Sequence, residues 1–286
     1  MKPVKSPLYI QYTPIMKIKP TLNLTIRLIL LITSLFTATL SFAGPGIKKA
    51  PAKQFYELVV YHVKDKSQEE RVDKYLSEAF LPAVHRYGIK MTGVFKTLNI
   101  DTAADKKIYV LLTYHSLTEF HQISKQLSTD KTLAAQGKDY TDANFDNAPY
   151  IRKESILMES FSGMPILRKP QFSNAKSERI YELRSYESAT EKLYHNKLSM
   201  FNDGNEMAIF DRIGSQAVFY GEVLAGSRMP NLMYMTTYSD KKSRDEHWVA
   251  FGSDPDWKKL SAMPEYQHNV AKVNIEFLVP AEYSDL

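Results

Sequence analysis

The chain contains the same short pattern twice, at an offset of 125 residues. Phe55–Tyr61 and Ile180–Tyr186 both contain Tyr-Glu-Leu-x-x-Tyr at equivalent places. The segments that follow the two copies also match in the order of their apolar patterns. We therefore expect the repeat to be a whole folding unit, so that the chain consists of two equivalent halves.

Each half is predicted to fold in the order strand, helix, strand, strand, helix, strand. Alternating apolar residues predict strands, and apolar spacings of three or four residues predict helices. In the first half the predicted strands are 54–62, 91–98, 108–115 and 152–161, and the predicted helices are 66–86 and 117–127. In the second half the predicted strands are 179–187, 216–222, 232–238 and 273–278, and the predicted helices are 191–212, 241–251 and a short one that opens at 253–257. Residues 128–150 are predicted to be irregular.

The order βαββαβ is that of the ferredoxin-like unit. We expect the first and third strands of each unit to be adjacent and parallel, with the helices on one face of the sheet. The other face is then free to pack against the second unit. The predicted fold class is α+β, with two tandem ferredoxin-like units that form a dimeric α/β-barrel within one chain. The predicted boundaries are 44–161 for the first domain, 162–177 for a linker and 178–286 for the second domain.

Residues 1–43 are predicted to be a secretory signal peptide. A basic segment is followed by a short apolar run, residues 28–40, and Ser41-Phe42-Ala43 then supplies small residues before a cleavage site after Ala43. The run is shorter than the roughly 18–20 apolar residues that a spanning helix needs, so no membrane anchor is expected after cleavage. Met1 and Met16 both stay open as the start of translation. We expect a periplasmic or secreted protein.

Charge and cysteine content exclude several classes of function. Residues 1–43 hold five basic and no acidic residues, so the rest of the chain has 32 basic and 32 acidic residues. A global basic field for binding nucleic acid is therefore absent from the mature chain. The chain has no cysteine, which excludes disulfides, thiolate metal sites and a cysteine nucleophile.

Several segments of the second half resemble the NIPSNAP family. They are the start of the repeat at 181–186, Phe219-Tyr220-Gly221-Glu222, Asp254-Pro255-Asp256-Trp257, and the stretches 201–206 and 229–235. The first half resembles the family at 80–89 and 93–96 but lacks the Asp-x-x-Trp element. The resemblance is to exported bacterial members with two tandem domains. It implies a dimeric α/β-barrel and implies no particular reaction.

The first candidate site lies on the strands of the second half. If Tyr181 and Leu183 face the helices, the alternate residues of that strand face the opposite sheet, together with alternate residues of the neighbouring strand. The candidate ligand-binding residues on this face are Glu182, Arg184, Tyr186, Tyr234 and Tyr238. The alternative, which we favour, is a packed inter-sheet core in which Glu182 and Arg184 neutralise each other.

The second candidate site is a break in the helix 191–212 at Asn202-Asp203-Gly204. Such a break could bring Asn202 and Glu206 to the mouth of a cavity. The alternative is ordinary capping, in which Asn202 or Asp203 caps the next helix and Glu206 lies near its first turn.

The histidines predict neither a metal site nor a cofactor. His62 and His115 end the first and third strands, so parallel pairing would bring them close, but no spacing typical of a metal motif supports a site there. His195 and His247 lie on predicted helices without a neighbouring metal motif. We therefore expect no metal and no cofactor.

Three functions stay open. The first is binding of a small molecule or a protein partner in the barrel or at its rim. The second is a cofactor-independent oxygenase or isomerase in which Glu182, Tyr186, His195 or Tyr234 acts on the substrate. The third is a structural module without a ligand, with its inner face fully packed. Self-association of the chain is also left open.

Overall fold

Eight strands form one closed antiparallel barrel in which the two halves are joined edge to edge. The computed structural model describes residues 52–286, so the predicted signal peptide and the choice between Met1 and Met16 lie outside the described residues. The first-half strands are β1 (Phe55–Val63), β2 (Gly93–Thr97), β3 (Lys106–Tyr114) and β4 (Arg152–Ser160). The second-half strands are β5 (Ile180–Glu187), β6 (Gln216–Ala225), β7 (Asn231–Tyr238) and β8 (Lys272–Pro280).

The strand order confirms the predicted fold class. The first half has the order β4-β1-β3-β2, the second half has the equivalent order β8-β5-β7-β6, and the pairs β2–β8 and β4–β6 close the barrel. The prediction that first and third strands run parallel was wrong, since β1 pairs antiparallel with β3 and β5 pairs antiparallel with β7. The reason is the tight connection between β2 and β3, which reverses the chain, while the helical crossover from β1 keeps β1 and β2 parallel.

Helices cover the outer face of each half. In the first half they are α1 (Lys66–Tyr75), a π-helical turn (Leu76–Phe80), α2 (Leu81–Arg86), α3 (Leu117–Thr129), α4 (Lys131–Gln136) and α5 (Lys138–Thr141). In the second half they are α6 (Glu191–Asn202), α7 (Glu206–Arg212), α8 (Lys241–Ser253) and α9 (Pro255–Ser261). Gly88 and Gly214 follow α2 and α7 with positive φ angles of 99° and 85°, as expected of helix-ending glycines. Within residues 52–286, no helix has the length and apolar character needed to cross a membrane.

The segment 128–150 is more ordered than predicted. Asp130 begins α4 because its side chain accepts hydrogen bonds from the backbone N–H groups of Thr132 and Leu133, at 2.8 and 2.9 Å. Leu133 is buried against Ala79 and Ala83 of the first helices. The polar composition of this segment led to the prediction of a loop, whereas α4 is a capped helix that packs on the first half.

The barrel interior is one apolar core to which both halves contribute. Its buried residues include Tyr56, Leu58, Phe95, Tyr109, Leu111, Met158, Tyr181, Leu183, Phe219, Val223, Met235 and Leu278. The rings of Phe95 and Tyr181 come from different halves and lie 4.7 Å apart. A core that joins both halves in this way makes their stabilities depend on each other.

We predict that Phe95→Ala destabilises both halves together. Removing a buried phenylalanine side chain costs about 3–5 kcal/mol of unfolding free energy. The two tryptophans, Trp248 and Trp257, both lie in the second half. A lower urea midpoint measured by their fluorescence would therefore show that a substitution in the first half destabilises the second. Phe145→Ala is the control, because Phe145 is 98% exposed and its removal should leave the midpoint unchanged. An unchanged tryptophan midpoint in Phe95→Ala would mean that the halves unfold independently.

Candidate functional site

On β5, the side chains of Glu182, Arg184 and Tyr186 face the helices and not the barrel interior, which is the reverse of the predicted orientation. Tyr181 and Leu183 belong to the interior core, whereas Tyr186 packs with the helices of the second half. The predicted grouping of residues was correct, since Glu182 is opposite Thr236 and Arg184 is opposite Tyr234 in the β5–β7 register. Polar side chains find hydrogen-bond partners on the helices, which an apolar interior cannot supply.

Glu182 is the most completely hydrogen-bonded carboxylate of this face. The Nε atom of Arg184 donates to its Oε1 at 2.7 Å, and the Nη2 atom of Arg184 lies 2.6 Å from the same oxygen. Arg244 of α8 donates from Nη2 to Oε1 at 2.8 Å and from Nε to Oε2 at 2.7 Å. The indole N–H of Trp248 donates to Oε2 at 2.8 Å. Glu182 therefore holds two guanidinium groups and one indole in fixed positions.

These contacts set the ionisation of Glu182 and Arg184. Burial alone would raise the pKa of Glu182, but the hydrogen bonds and charges of Arg244 and Arg184 hold this pKa below its usual range. Burial acts to lower the pKa of Arg184, but the surrounding acidic and phenolic groups raise it above its ordinary value. Both side chains are therefore charged at neutral pH.

Arg184 also connects to a pair of buried tyrosines. Its Nη1 atom donates to the Tyr186 hydroxyl at 3.0 Å, and the hydroxyls of Tyr186 and Tyr234 lie 2.8 Å apart. Burial raises the pKa of both phenols. Both tyrosines are therefore neutral at ordinary pH and act as hydrogen-bond donors or acceptors.

A second buried ion pair lies beside the tyrosines. The ammonium of Lys197 on α6 donates to Glu206 Oε2 of α7 at 2.7 Å, and both side chains are almost fully buried. Burial raises the pKa of Glu206, and the charge of Lys197 opposes this change. The Lys197 ammonium also lies 4.5 Å from the centre of the Phe201 ring.

These groups line a cavity of about 350 Å³ between the sheet and the helices of the second half. We call it the helix-face cavity. Its lining includes Arg184, Tyr186, Lys197, Met200, Glu206, Phe210, Trp248, Phe251, Trp257, Tyr266, His268, Asn269 and Val273. Six of the sixteen lining residues are Tyr, Phe or Trp, and Arg184 stacks on Trp248 with 3.7 Å between its guanidinium carbon and the ring centre. The arrangement is able to bind a flat apolar molecule and to hold one polar group of that molecule at Arg184.

The predicted residues divide between this cavity and its surroundings. Arg184, Tyr186 and Glu206 line the cavity. Glu182 and Tyr234 are fully buried and support Arg184 and Tyr186 through the bonds described above.

Tyr238 lies away from the cavity lining, where it bonds to Ser215 and Thr236 at 3.4 and 3.2 Å. Its ring is 5.5 Å from that of His247. Of the five predicted strand residues, Tyr238 is thus the one that the structure assigns to packing.

Asn202 lies apart from the helix-face cavity. Its side-chain oxygen accepts hydrogen bonds from Ser162 Oγ and the Gly163 N–H, both at 3.0 Å. Asn202 instead lines a separate cavity of about 170 Å³. The predicted cap by Asn202 or Asp203 is wrong, because α7 is preceded by Asn205 with a φ of 62° and no side-chain capping bond. Asp203 instead accepts a hydrogen bond from Ser199 at 2.7 Å. The break does occur at the predicted place, and it lets Glu206 reach the cavity.

The candidate residues predicted from the sequence did not include Lys197, Trp248 or Trp257, all of which line the cavity. Lys197 is one of four lysines and arginines between 179 and 200, and nothing in its spacing separates it from a surface lysine. The available signal was the NIPSNAP-like Asp254-Pro255-Asp256-Trp257 element, since Asp254 caps α9 and thereby sets the position of Trp257.

The structure places His62 and His115 at opposite ends of the first-half sheet. Antiparallel pairing places His62 opposite Lys107, so His115 lies at the other end of the sheet. His62 contacts Asp105 and Glu154, each at 3.1 Å. No group of three or more His, Asp or Glu side chains in residues 52–286 has the arrangement of a metal site.

One mouth of the barrel also contains a cavity, of about 140 Å³, around these His62 contacts. Its rim charges largely pair with one another, as Lys107 does with Glu276 at 2.8 Å and Arg152 with Glu154 at 2.6 Å. The helix-face cavity is larger and presents Arg184 and Tyr186 beside aromatic walls, so it is the stronger candidate site.

We predict that Glu182→Gln destabilises the protein by about 3–5 kcal/mol at neutral pH, because two arginine charges lose their buried partner. The folded-state pKa of Glu182 is lowered, so its stabilisation is present above the unfolded-state value of about 4.3 and is lost as pH falls through the folded-state pKa. The stability difference between wild type and variant should therefore be constant above about pH 5 and shrink below about pH 4.

Urea denaturation at several pH values measures this difference. Glu57→Gln is the matched control, because Glu57 occupies the equivalent place in the repeat and bonds to Tyr114 and Ser155 hydroxyls without an arginine. Its cost should be near 1 kcal/mol. A Glu182→Gln cost that does not change with pH would contradict the assigned ionisation.

Several solved structures of other proteins are similar in fold to this chain. A candidate monooxygenase from Fusobacterium nucleatum subsp. nucleatum covers 80% of this chain and 93% of its own, with a TM-score of 0.51 and 10% identity. A candidate monooxygenase from Lactobacillus acidophilus covers 80% and 94%, with a TM-score of 0.52 and 9% identity. An anthrone oxidase-like protein covers 81% and 93%, with a TM-score of 0.50 and 9% identity. At such identities the likeness shows the fold alone.

Sequence comparison identifies the second half more specifically. No curated protein matches the chain significantly. The NIPSNAP family model matches residues 181–285, which include β5, the helix-face cavity and β8. Residues 181–285 of this chain are therefore identified as a NIPSNAP domain.

Proposed function

We propose that this protein binds a flat, largely apolar small molecule with one anionic oxygen, and that the molecule occupies the helix-face cavity. The observation that carries the proposal is Arg184, a buried and charged guanidinium that lines a cavity with aromatic walls. A cavity of about 350 Å³ lies within the roughly 300–1,000 Å³ range of small-molecule sites.

The charge balance favours an anionic group. Arg184 and Arg244 share the buried carboxylate of Glu182. Arg244 has a second partner, the more exposed Asp245, at 2.9 Å. Glu182, by contrast, is the only carboxylate that contacts Arg184 within residues 52–286 and is shared, so Arg184 is the less balanced of the two charges. Lys197 and Glu206 neutralise each other. A guanidinium has five N–H donors, and Glu182 and Tyr186 engage three of those of Arg184. The remaining donors are suited to a carboxylate, a phenolate or an enolate.

Aromatic walls favour a flat ligand body. Trp248, Phe251 and Trp257 form a continuous group, with ring centres 5.5 Å apart for the first pair and 4.5 Å apart for the second. Rings of this kind pack well against planar molecules. The two tryptophans also make ligand binding visible through their intrinsic fluorescence.

We predict that Arg184→Met weakens the binding of naphthoate, used as a flat anionic probe, by about 10- to 150-fold, the equivalent of roughly 1.5–3 kcal/mol for a charged hydrogen bond. Naphthyl methanol, which has the same rings and no charge, should bind both proteins equally. Tryptophan fluorescence titration measures both affinities. The variant keeps Arg244 and Trp248 as partners of Glu182, so its stability loss should be smaller than that of Glu182→Gln.

Arg244→Met is the matched control. Arg244 bonds to the same carboxylate but does not line the cavity, so this variant should lose stability and keep its naphthoate affinity. Equal losses of affinity in the two variants would indicate a structural effect on the site. No measurable naphthoate binding by the wild type would contradict the proposed ligand class.

The second candidate function is cofactor-independent oxidation of an aromatic substrate. The observation that favours it is the chain from Arg184 through Tyr186 to Tyr234, which could stabilise an oxyanion formed during the reaction. Glu182 would be a poor base because of its lowered pKa, and His195 is exposed outside the cavity lining. Glu206, whose pKa is raised by burial, is the better base.

Oxygen uptake with anthrone tests this second function. The reaction would convert anthrone and dioxygen to anthraquinone and water. Turnover that is lost in Glu206→Gln would support catalysis, whereas probe binding without oxygen uptake would support the binding function alone.

We further propose that the protein acts outside the cytoplasm. The support is the sequence of residues 1–43 and its small residues before Gly44. N-terminal sequencing of the mature protein should begin at Gly44. Purified mature protein that still contains residues 28–40 would contradict export with cleavage.

A further inference from the structure

The first half contains a cavity at the position equivalent to the helix-face cavity. It measures about 430 Å³ and lies between the sheet and helices of that half. We call it the first-half cavity. Its lining includes Glu57, Val59, Tyr61, Tyr75, Phe80, Val110, Leu112, Tyr114, Leu127, Leu133 and Lys153. Its aliphatic and aromatic residues lie beside polar ones, which include Asp130 and Asp142. Asp130 pairs with Arg86 at 2.7 Å and Asp142 is exposed, so Glu57 and Lys153 are the charges of the lining that lie on the sheet.

The strand register shows how the charges differ. Val59 pairs with Val110 where Arg184 pairs with Tyr234. Lys153 pairs with Tyr61 where Val273 pairs with Tyr186. The first half therefore has a valine where the second half has Arg184 on the central strand, and a lysine where the second half has Val273 on the neighbouring strand.

Glu57 has no ion-pair partner among residues 52–286. Its Oε2 atom accepts a hydrogen bond from the Tyr114 hydroxyl at 3.0 Å, and its Oε1 atom accepts one from Ser155 Oγ at 2.6 Å. Both donors are neutral hydroxyls. The two hydroxyls therefore fix the position of this half-buried carboxylate, but no cation of residues 52–286 contacts it to balance its charge.

Lys153 likewise forms no ion pair within the described part of the chain. It is an exposed residue of β4, and its ammonium lies 5.6 Å from the centre of the Tyr61 ring. Partial burial of the ammonium lowers the pKa of Lys153, and the charge of Glu57 opposes this change. Glu57 and Lys153 thus lie along one cavity with opposite charges and do not contact each other.

We propose that the first-half cavity binds a free α-amino acid with a large apolar side chain. Its ammonium would contact Glu57 and its carboxylate would contact Lys153. A zwitterion satisfies two separated opposite charges without adding net charge. The apolar side chain would occupy the space lined by Val59, Val110 and Leu112, where its burial is favourable. This site is separate from the helix-face cavity and does not depend on the function proposed there.

Isothermal titration of the full mature chain with L-phenylalanine, L-leucine and L-tryptophan tests the proposal. Phenethylamine lacks the carboxylate and phenylpropionate lacks the ammonium, so each should bind about 10- to 100-fold more weakly than phenylalanine. Glu57→Gln and Lys153→Met should weaken phenylalanine binding by a similar factor. Lys153→Met should have no further effect on phenethylamine, and Glu57→Gln should have none on phenylpropionate.

Arg152→Met is the matched control for Lys153→Met. Arg152 adjoins Lys153 on β4, and its side chain lines the barrel mouth and not the first-half cavity. Its removal should leave phenylalanine binding unchanged. Circular dichroism and urea midpoints establish that each variant is folded.

Three results would overturn the proposal. The first is that none of the three amino acids binds with a dissociation constant below about 1 mM. The second is that phenethylamine or phenylpropionate binds as tightly as phenylalanine. The third is that folded Glu57→Gln and Lys153→Met both keep the wild-type affinity.

Discussion

Closure of the barrel is the constraint on which both cavities depend. Each four-stranded half would expose two strand edges, and the pairs β2–β8 and β4–β6 satisfy them. Closure leaves an interior filled by large side chains such as Tyr56, Phe95 and Tyr181. Glu57 of β1 and Glu182 and Arg184 of β5 point outward. On that side the helices supply hydrogen-bond partners such as Arg244 and Trp248, and the two cavities lie between sheet and helices.

The two halves use this common frame for different chemistry. Glu57 and Glu182 occupy equivalent positions in the repeat, and each carboxylate is fixed by hydrogen bonds. In the second half the partners are the guanidinium groups of Arg184 and Arg244, so the charge of the carboxylate is balanced by cations. In the first half the partners are hydroxyls, so the carboxylate keeps its negative field. The same carboxylate is thus paired with cations in one half and left without a contacting cation, among residues 52–286, in the other.

The sequence predicted the fold well and the direction of its side chains poorly. Period-two alternation identifies which residues share a face of a strand, and this prediction held for Glu182, Arg184 and Tyr186. Alternation cannot tell which layer each face meets when both faces are covered, and every residue from Ile180 to Tyr186 is buried. The orientation follows from closure and from helix-borne partners such as Arg244 and Trp248, which are distant in sequence.

The broken helix illustrates a second limit on prediction. Its position was readable from Asn202-Asp203-Gly204, because these residues interrupt the helical spacing. The roles of its residues were not readable, since Asn202 is held by the Gly163 N–H of the inter-half linker and Glu206 by Lys197. Both contacts depend on how separate segments meet in space, and local propensity does not encode them.

The rigidity of the two cavities differs and should affect how they bind. Arg184 is held by Glu182, by Tyr186 and by its stacking on Trp248, so little side-chain entropy is left to lose when an anion binds. Lys153 has only the Tyr61 ring near its ammonium, at 5.6 Å, so it keeps more rotamer freedom, which a bound carboxylate would have to remove. Ordering a side chain of this kind on binding costs about 0.5–1.5 kcal/mol. For ligands of equal contact area, the helix-face cavity is therefore the better preorganised of the two.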